Sequence, residues 1–148
     1  MNRVESAVSD FKGGFACSQA VLAAFTDLFG MPRDLALRIA AGFGGGMGRM
    51  GKTCGAVTGA FMVIGLKYGA TLGEDKASKE KTHQVVREFA EKFAFRNGSI
   101  GCKELLGCDL STREGYEQAR EKNLFYTVCP KLVQDASEIL EEILEVTD

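Results

Sequence analysis

The sequence predicts an all-α protein, a compact single-domain bundle over residues 1–148 with about seven or eight helices and one glycine-rich loop. Apolar residues recur three and four apart along most of the chain, and no convincing alternating run appears. Only Pro32 and Pro130 interrupt it, while Ala, Leu, Glu and Lys, all good helix formers, are plentiful. A hydrophobic share of 45% and a charged share of 26% are ordinary for a globular domain of this length.

Val4, Ala7, Val8 and Phe11 mark a short first helix that Gly13 and Gly14 end. A second is expected from about Ala16 to Phe29, with Cys17, Val21, Phe25 and Leu28 on one face and Gly30 as its stop. Pro32 suits the first turn of a third, which continues through Leu35, Leu37, Ile39 and Ala40. Residues Gly42 to Gly51 then hold six glycines in ten positions. Such density costs backbone entropy, so something there requires bare backbone. Thr53 is expected to cap a helix reaching Tyr68, whose small residues repeat four apart at Gly55/Gly59 and Ala56/Ala60. That spacing gives a flank another helix can approach closely.

Thr71 to Lys81 reads as a surface turn and helix entry. Val85, Val86, Phe89, Phe93 and Phe95 mark a long amphipathic helix ending at Asn97-Gly98. Ser99 is placed to cap a short helix stopped by Gly107, and Ser111-Thr-Arg-Glu114 is a capping-box pattern for another, to about Leu124. Pro130 opens a last helix carrying Leu132, Val133, Ala136, Ile139, Leu140, Ile143 and Leu144.

A net charge of −2 with interspersed signs gives no basic face for nucleic acid. The longest uncharged run, Thr53 to Leu66, is well short of the roughly 20 apolar residues of a membrane span. The N-terminus lacks the apolar stretch of a signal peptide, so a cytoplasmic location is expected. An odd count of five cysteines argues against a disulfide framework and leaves core filler, metal ligands or redox thiols.

Gly46 to Thr53 matches the P-loop pattern GxxxxGK[ST], and Gly46, Gly48 and Gly51 also satisfy GxGxxG. Both motifs require a preceding strand, whereas Leu35 to Ala41 reads as helix. What remains is an anion site at the helix start, with Gly46, Gly48, Gly51 and Thr53 as its binding residues.

The cysteine positions are more specific. Cys17, Cys54, Cys102 and Cys129 all fall at predicted helix N-termini, where unpaired N–H groups stabilise thiolate or a thiolate-bound metal. Any one free cysteine is often mere filler, but four at helix starts form a pattern. No C-x-x-C pair exists, so the fold must bring them together. Cys108, just past Gly107, is expected in a turn as an exposed extra thiol. His83, the sole imidazole, sits on the polar opening of a helix and reads as solvated; no hydrolase triad is available.

Cys17, GFGGGMGRMGKTCGAVTGAFMVIGLKYG, GCKELLGCDL and Cys129 together resemble the C_GCAxxG_C_C family, to which a redox role is attributed. Its core Cys-Gly-Ala-x-x-Gly is here Cys54-Gly55-Ala56-Val57-Thr58-Gly59. The likeness runs from about Phe15 to Val133. It implies a small helical domain with four characteristic cysteines, mapped onto Cys17, Cys54, Cys102 and Cys129, with Cys108 as the alternative third. Related domains occur beside cytochrome-type electron carriers, and iron–sulfur binding has been suspected for them.

The leading expectation is therefore a redox or electron-transfer protein whose four thiols hold a 2Fe–2S cluster, or zinc, or act metal-free as a dithiol/disulfide set. Its redox partner protein is unspecified, and whether it is an enzyme stays open. A second expectation is a module binding a small anion or nucleotide through residues 42–53. A third is a homo-oligomer joined through the flank of Gly55, Ala56, Gly59 and Ala60.

Overall fold

The computed structural model describes residues 1–146. Eight helices carry the fold: α1 Arg3–Lys12, α2 Cys17–Ala23, α3 Arg33–Ala40, α4 Gly55–Tyr68, α5 Lys76–Asn97, α6 Cys102–Leu106, α7 Arg113–Glu121 and α8 Cys129–Leu144. Single turns lie at Thr26–Phe29 and Leu124–Thr127. No β-strand occurs among the described residues; the only extended pairing among them is an isolated antiparallel bridge between Thr53 and Gly101.

Helix α4 is the central element. It packs on α2 and α5, α8 also reaches it, and α8 in turn packs against α1 and α5. Eight of its fourteen residues are buried, so its apolar character runs around most of the circumference. The main core joins Leu22, Phe25, Ile64, Phe89, Phe93, Ile139 and Leu140, all essentially inaccessible. Phe89 meets Phe61 edge-on at 6.1 Å and stacks with Phe93 at 6.0 Å. Arg96 of α5 bridges Glu138 at 2.8 Å and Asp135 at 3.3 Å, pinning α5 to α8. A second, smaller apolar cluster gathers Cys102, Leu106, Cys108, Leu110, Ala119 and Cys129 beneath α7.

The helix ends follow local chemistry. Asn2 and Asp75 accept hydrogen bonds from the N–H groups of Glu5 and Ser78, capping α1 and α5. Gly98 and Gly107 stop α5 and α6 in the left-handed conformation.

Several expectations are corrected. The long second helix breaks after Ala23 into a tight turn before Gly30. In α3 the buried face is Ala36 and Ala40, while Leu35 and Ile39 point outward, because close packing on α2 selects the small side chains. Phe95 is 92% exposed: Phe89 and Phe93 share the inner face, and a residue two positions on lies on the far side. Thr53 does not cap α4; it is drawn into the bridge with Gly101, and Cys54 takes the cap position. The α7 cap is Thr112, whose hydroxyl accepts from the Gly115 N–H, and Ser111 bonds Asp109 instead. Ser99 likewise sits outside α6, accepting from the Gly101 N–H. The small-residue flank of α4 is buried within the chain, with Gly55 and Gly59 lying against Ser18 of α2.

Candidate redox site

The glycine run folds as a left-handed turn. Gly45, Gly46, Met47, Gly48 and Arg49 all have φ between 62° and 70°. For a residue with a side chain this conformation costs roughly 1–2 kcal/mol, which is why three of the five are glycine. The N–H groups of Gly48 and Arg49 donate to the Gly44 carbonyl, and those of Gly51 and Lys52 to Gly45 and Gly46. The donors from Gly48 to Lys52 are thus consumed within the loop. Of the residues expected to hold an anion, Gly46 is buried against Cys102, Gly48 and Gly51 belong to this turn, and Thr53 is in the bridge.

The same turn sets the register of the thiols. Around the Thr53–Gly101 bridge, the Cys54 N–H donates to Ile100 at 2.8 Å and the Cys102 N–H to Lys52 at 2.6 Å. Cys54 and Cys102 are thereby held beside one another. At Gly46 a Cβ would lie 2.7 Å from the Cys102 Cβ, so only glycine lets the turn approach this close. Gly55 performs the same service on the other side, where a Cβ would stand 3.3 Å from the Cys17 Cβ.

Cys17 is fixed by its neighbours. The Ser18 hydroxyl donates to the Ala40 carbonyl at 2.8 Å. The Gln19 side chain accepts from the Ala16 N–H and donates to the Leu37 carbonyl. These bonds tie the first turn of α2 to α3. Cys129 opens α8, with Pro130 following in the first turn.

All four cysteines line one cavity of about 840 Å³. Cys17, Cys102 and Cys129 each begin a helix, and Cys54 directly precedes α4. Cys17 bridges the two apolar clusters, packing against both. Cys54, Cys102 and Cys129 are buried, Cys17 half-buried, and none forms a disulfide. Cys108 is also buried, at 4% exposure, and does not line the cavity; its thiol makes one long contact with Gln118. The expectation of an exposed thiol there fails because the chain folds back under α7. His83 is exposed on α5 and lies outside the cavity.

The thiols differ electrostatically. Cys17 and Cys129 are electrostatically coupled: Cys17 holds the pKa of Cys129 below its ordinary value, while Cys129, burial and the other cysteines raise that of Cys17. Burial pushes Cys54 up to about 11, against the opposing pull of the Ala56 and Val57 N–H groups, which stop short of a formed cap hydrogen bond. Burial, then Cys54 and Cys129, then Glu104 and Asp109 push Cys102 up to about 12. Thiolate character therefore concentrates on Cys129.

Four thiols are suitable donors for an iron–sulfur cluster or zinc. Yet among the described residues no three Cys, His, Asp or Glu side chains gather closely enough to hold one metal ion. The arrangement does not fit such a group as it stands.

Lys12, Arg49, Tyr116 and Arg120 also line the cavity, and sequence reasoning missed them. They come from distant parts of the chain and match no motif.

No helix among the described residues is long and apolar enough to cross a membrane. Neither the curated proteins nor the solved structures offer a match. Residues 15–143 match the family described as "Putative redox-active protein (C_GCAxxG_C_C)", and with that span covered the chain belongs to this family.

Proposed function

We propose that the protein is a thiol–disulfide redox protein in which Cys129 is the nucleophile and Cys17 its resolving partner. The observation carrying this reading is that Cys17 and Cys129 open two helices on the wall of one cavity lined by all four cysteines, where their titrations are coupled and Cys129 is the thiol held low. In the forward step the Cys129 thiolate attacks one sulfur of a disulfide, forming a mixed disulfide and expelling one thiolate. Cys17 then attacks the Cys129 sulfur, expels the second thiolate and closes a Cys17–Cys129 disulfide. Two electrons pass to the substrate, and the pair's two protons end on the two released thiols. Cys54 and Cys102, held as neutral thiols by burial, do not compete as nucleophiles.

Cluster binding by Cys17, Cys54, Cys102 and Cys129 would require the four sulfurs to converge further. The anion cradle at Gly46, Gly48, Gly51 and Thr53 is less favoured, since the N–H groups of Gly48 and Gly51 are engaged within the loop, Gly46 is buried against Cys102 and Thr53 pairs with Gly101.

The test is intact-mass analysis after exposure to a small disulfide, with iron, sulfide and zinc assayed on anaerobically purified protein. The wild type should lose two hydrogens without retaining an adduct, and Cys17→Ser should trap one adduct on Cys129. Unchanged oxidation in Cys129→Ser, or stoichiometric metal that protects all four thiols, would overturn the proposal.

A further inference from the structure

Three cations line the thiol cavity, Lys12, Arg49 and Arg120, and no Asp or Glu does. That is unexpected in a chain of net charge −2. Several cations elsewhere are paired, Arg3 with Asp27, Arg33 with Asp10, Lys92 with Glu142, Arg96 with Glu138 and Lys131 with Asp135, and others such as Lys67 and Lys79 stand on the open surface; what sets the cavity apart is three cations on one wall with no carboxylate among its lining residues. Among the described residues none of the three cavity cations forms a salt bridge. Arg49 instead lies 4.3 Å from the Tyr116 ring centroid and donates to its hydroxyl at 3.3 Å. Glu104 and Asp109 are felt by Cys102, yet neither lines the cavity.

The remaining wall is apolar and aromatic, with Phe11, Phe15, Leu106, Phe125 and Tyr126. Its volume of about 840 Å³ is that of a small-molecule site rather than a flat protein-docking face. Cationic groups left without carboxylates beside a concave apolar wall attract an anionic ligand and raise its local concentration.

We propose that the substrate is a small disulfide carrying carboxylate groups, bound with its anionic ends toward Lys12, Arg49 and Arg120 and its sulfurs toward Cys129 and Cys17. This rests on the thiol–disulfide reading above. The exchange is balanced as before: the dianionic disulfide takes two electrons and two protons from the cysteine pair and leaves as two carboxylate-bearing thiols, and the protein keeps the Cys17–Cys129 disulfide.

The test compares oxidation of the reduced protein by dithiodipropionate, a dianion, and by cystamine, a dication, each normalised to its rate with a small free thiol. At low salt the dianion should be preferred by about tenfold, with the preference shrinking as ionic strength rises. In the Lys12→Gln/Arg120→Gln double variant, both positions being exposed, the ratio should fall towards one. Equal or faster reaction with cystamine, or a ratio unmoved by the double variant, would overturn the proposal.

Binding of thiodipropionate, the unreactive thioether, is measured in parallel by calorimetry. If no disulfide oxidises the cysteine pair, the thiol–disulfide reading fails by itself. The calorimetry then still decides the anion site: binding that weakens in the double variant supports it, and no binding removes it.

Discussion

Gly59 of α4 lies directly on the backbone of Ser18 in α2. A Cβ built at Gly59 would stand 2.7 Å from the Ser18 carbonyl oxygen and 3.1 Å from its Cα. This contact determines how near Cys17, the residue before Ser18, comes to Cys54 at the head of α4.

Gly59→Ala should therefore destabilise the protein even though alanine is the better helix former. The propensity gain of about 1 kcal/mol is outweighed by forcing two backbones apart, an overpacking cost of typically 1–3 kcal/mol or more at a rigid site. Gly65 in the same helix provides the control. Nothing lies within 4 Å of its Cβ position, so Gly65→Ala should stabilise by about 1 kcal/mol. Urea unfolding of the two variants should give shifts of opposite sign; the same sign in both would refute the close-packing account.

Cys129 should be alkylated first. Its thiol is held low by its coupling to Cys17, whereas Cys54 is raised to about 11 and Cys102 to about 12. Because thiolate is the reactive form, iodoacetamide labelling at neutral to mildly alkaline pH should go mainly to Cys129. Its rate should climb with a midpoint below the usual thiol value, and Cys17→Ala should move that midpoint up by removing that coupling. Peptide mapping at several pH values reads both effects, and preferential labelling of Cys54 would reverse the assignment.

Helix packing and thiol placement were unequally legible in the sequence. The helices could be read because buried positions such as Phe89 and Phe93 repeat at the helical period. The four cysteines could be placed at helix starts because Gly and Pro punctuate the chain beside them. Helix phase was harder: Leu35 and Ile39 look like core, but the nearness of α2 and α3 buries Ala36 and Ala40 instead. The left-handed turn was legible only as an excess of glycine, since Met47 and Arg49 adopt the same conformation without announcing it. The cavity's cations were not legible at all, because Lys12, Arg49 and Arg120 are brought to one cavity only by the tertiary fold.

Cys108→Ala should leave the redox chemistry intact. The side chain is buried in the smaller cluster, away from the cavity, with only a 3.9 Å contact to Gln118. Removing its sulfur leaves a small void and should cost about 1 kcal/mol. Thiol titration after oxidation should still show the loss of two thiols per chain. Loss of none would make Cys108 a member of the redox set.

Stability should fall in alkali, and Cys54 should be a principal cause. Its folded pKa of about 11 lies above the unfolded value, so the folded state favours the neutral thiol. That contribution is complete below the unfolded pKa near 9 and disappears as pH rises through about 11. A shift of this size corresponds to roughly 3 kcal/mol. Cys102 acts in the same direction up to about 12, with a smaller effect because it is less deeply enclosed. Cys129 acts oppositely: its lowered pKa contributes stability above the unfolded value that is lost as pH falls through the folded one. Lysines and tyrosines titrate in the same alkaline range, so the comparison must be with a matched variant. Urea unfolding at pH values from about 8 to 11 should show a steeper decline in wild type than in Cys54→Ala, which lacks the titrating group. Parallel declines would mean that burial of Cys54 exerts no such hold on its proton.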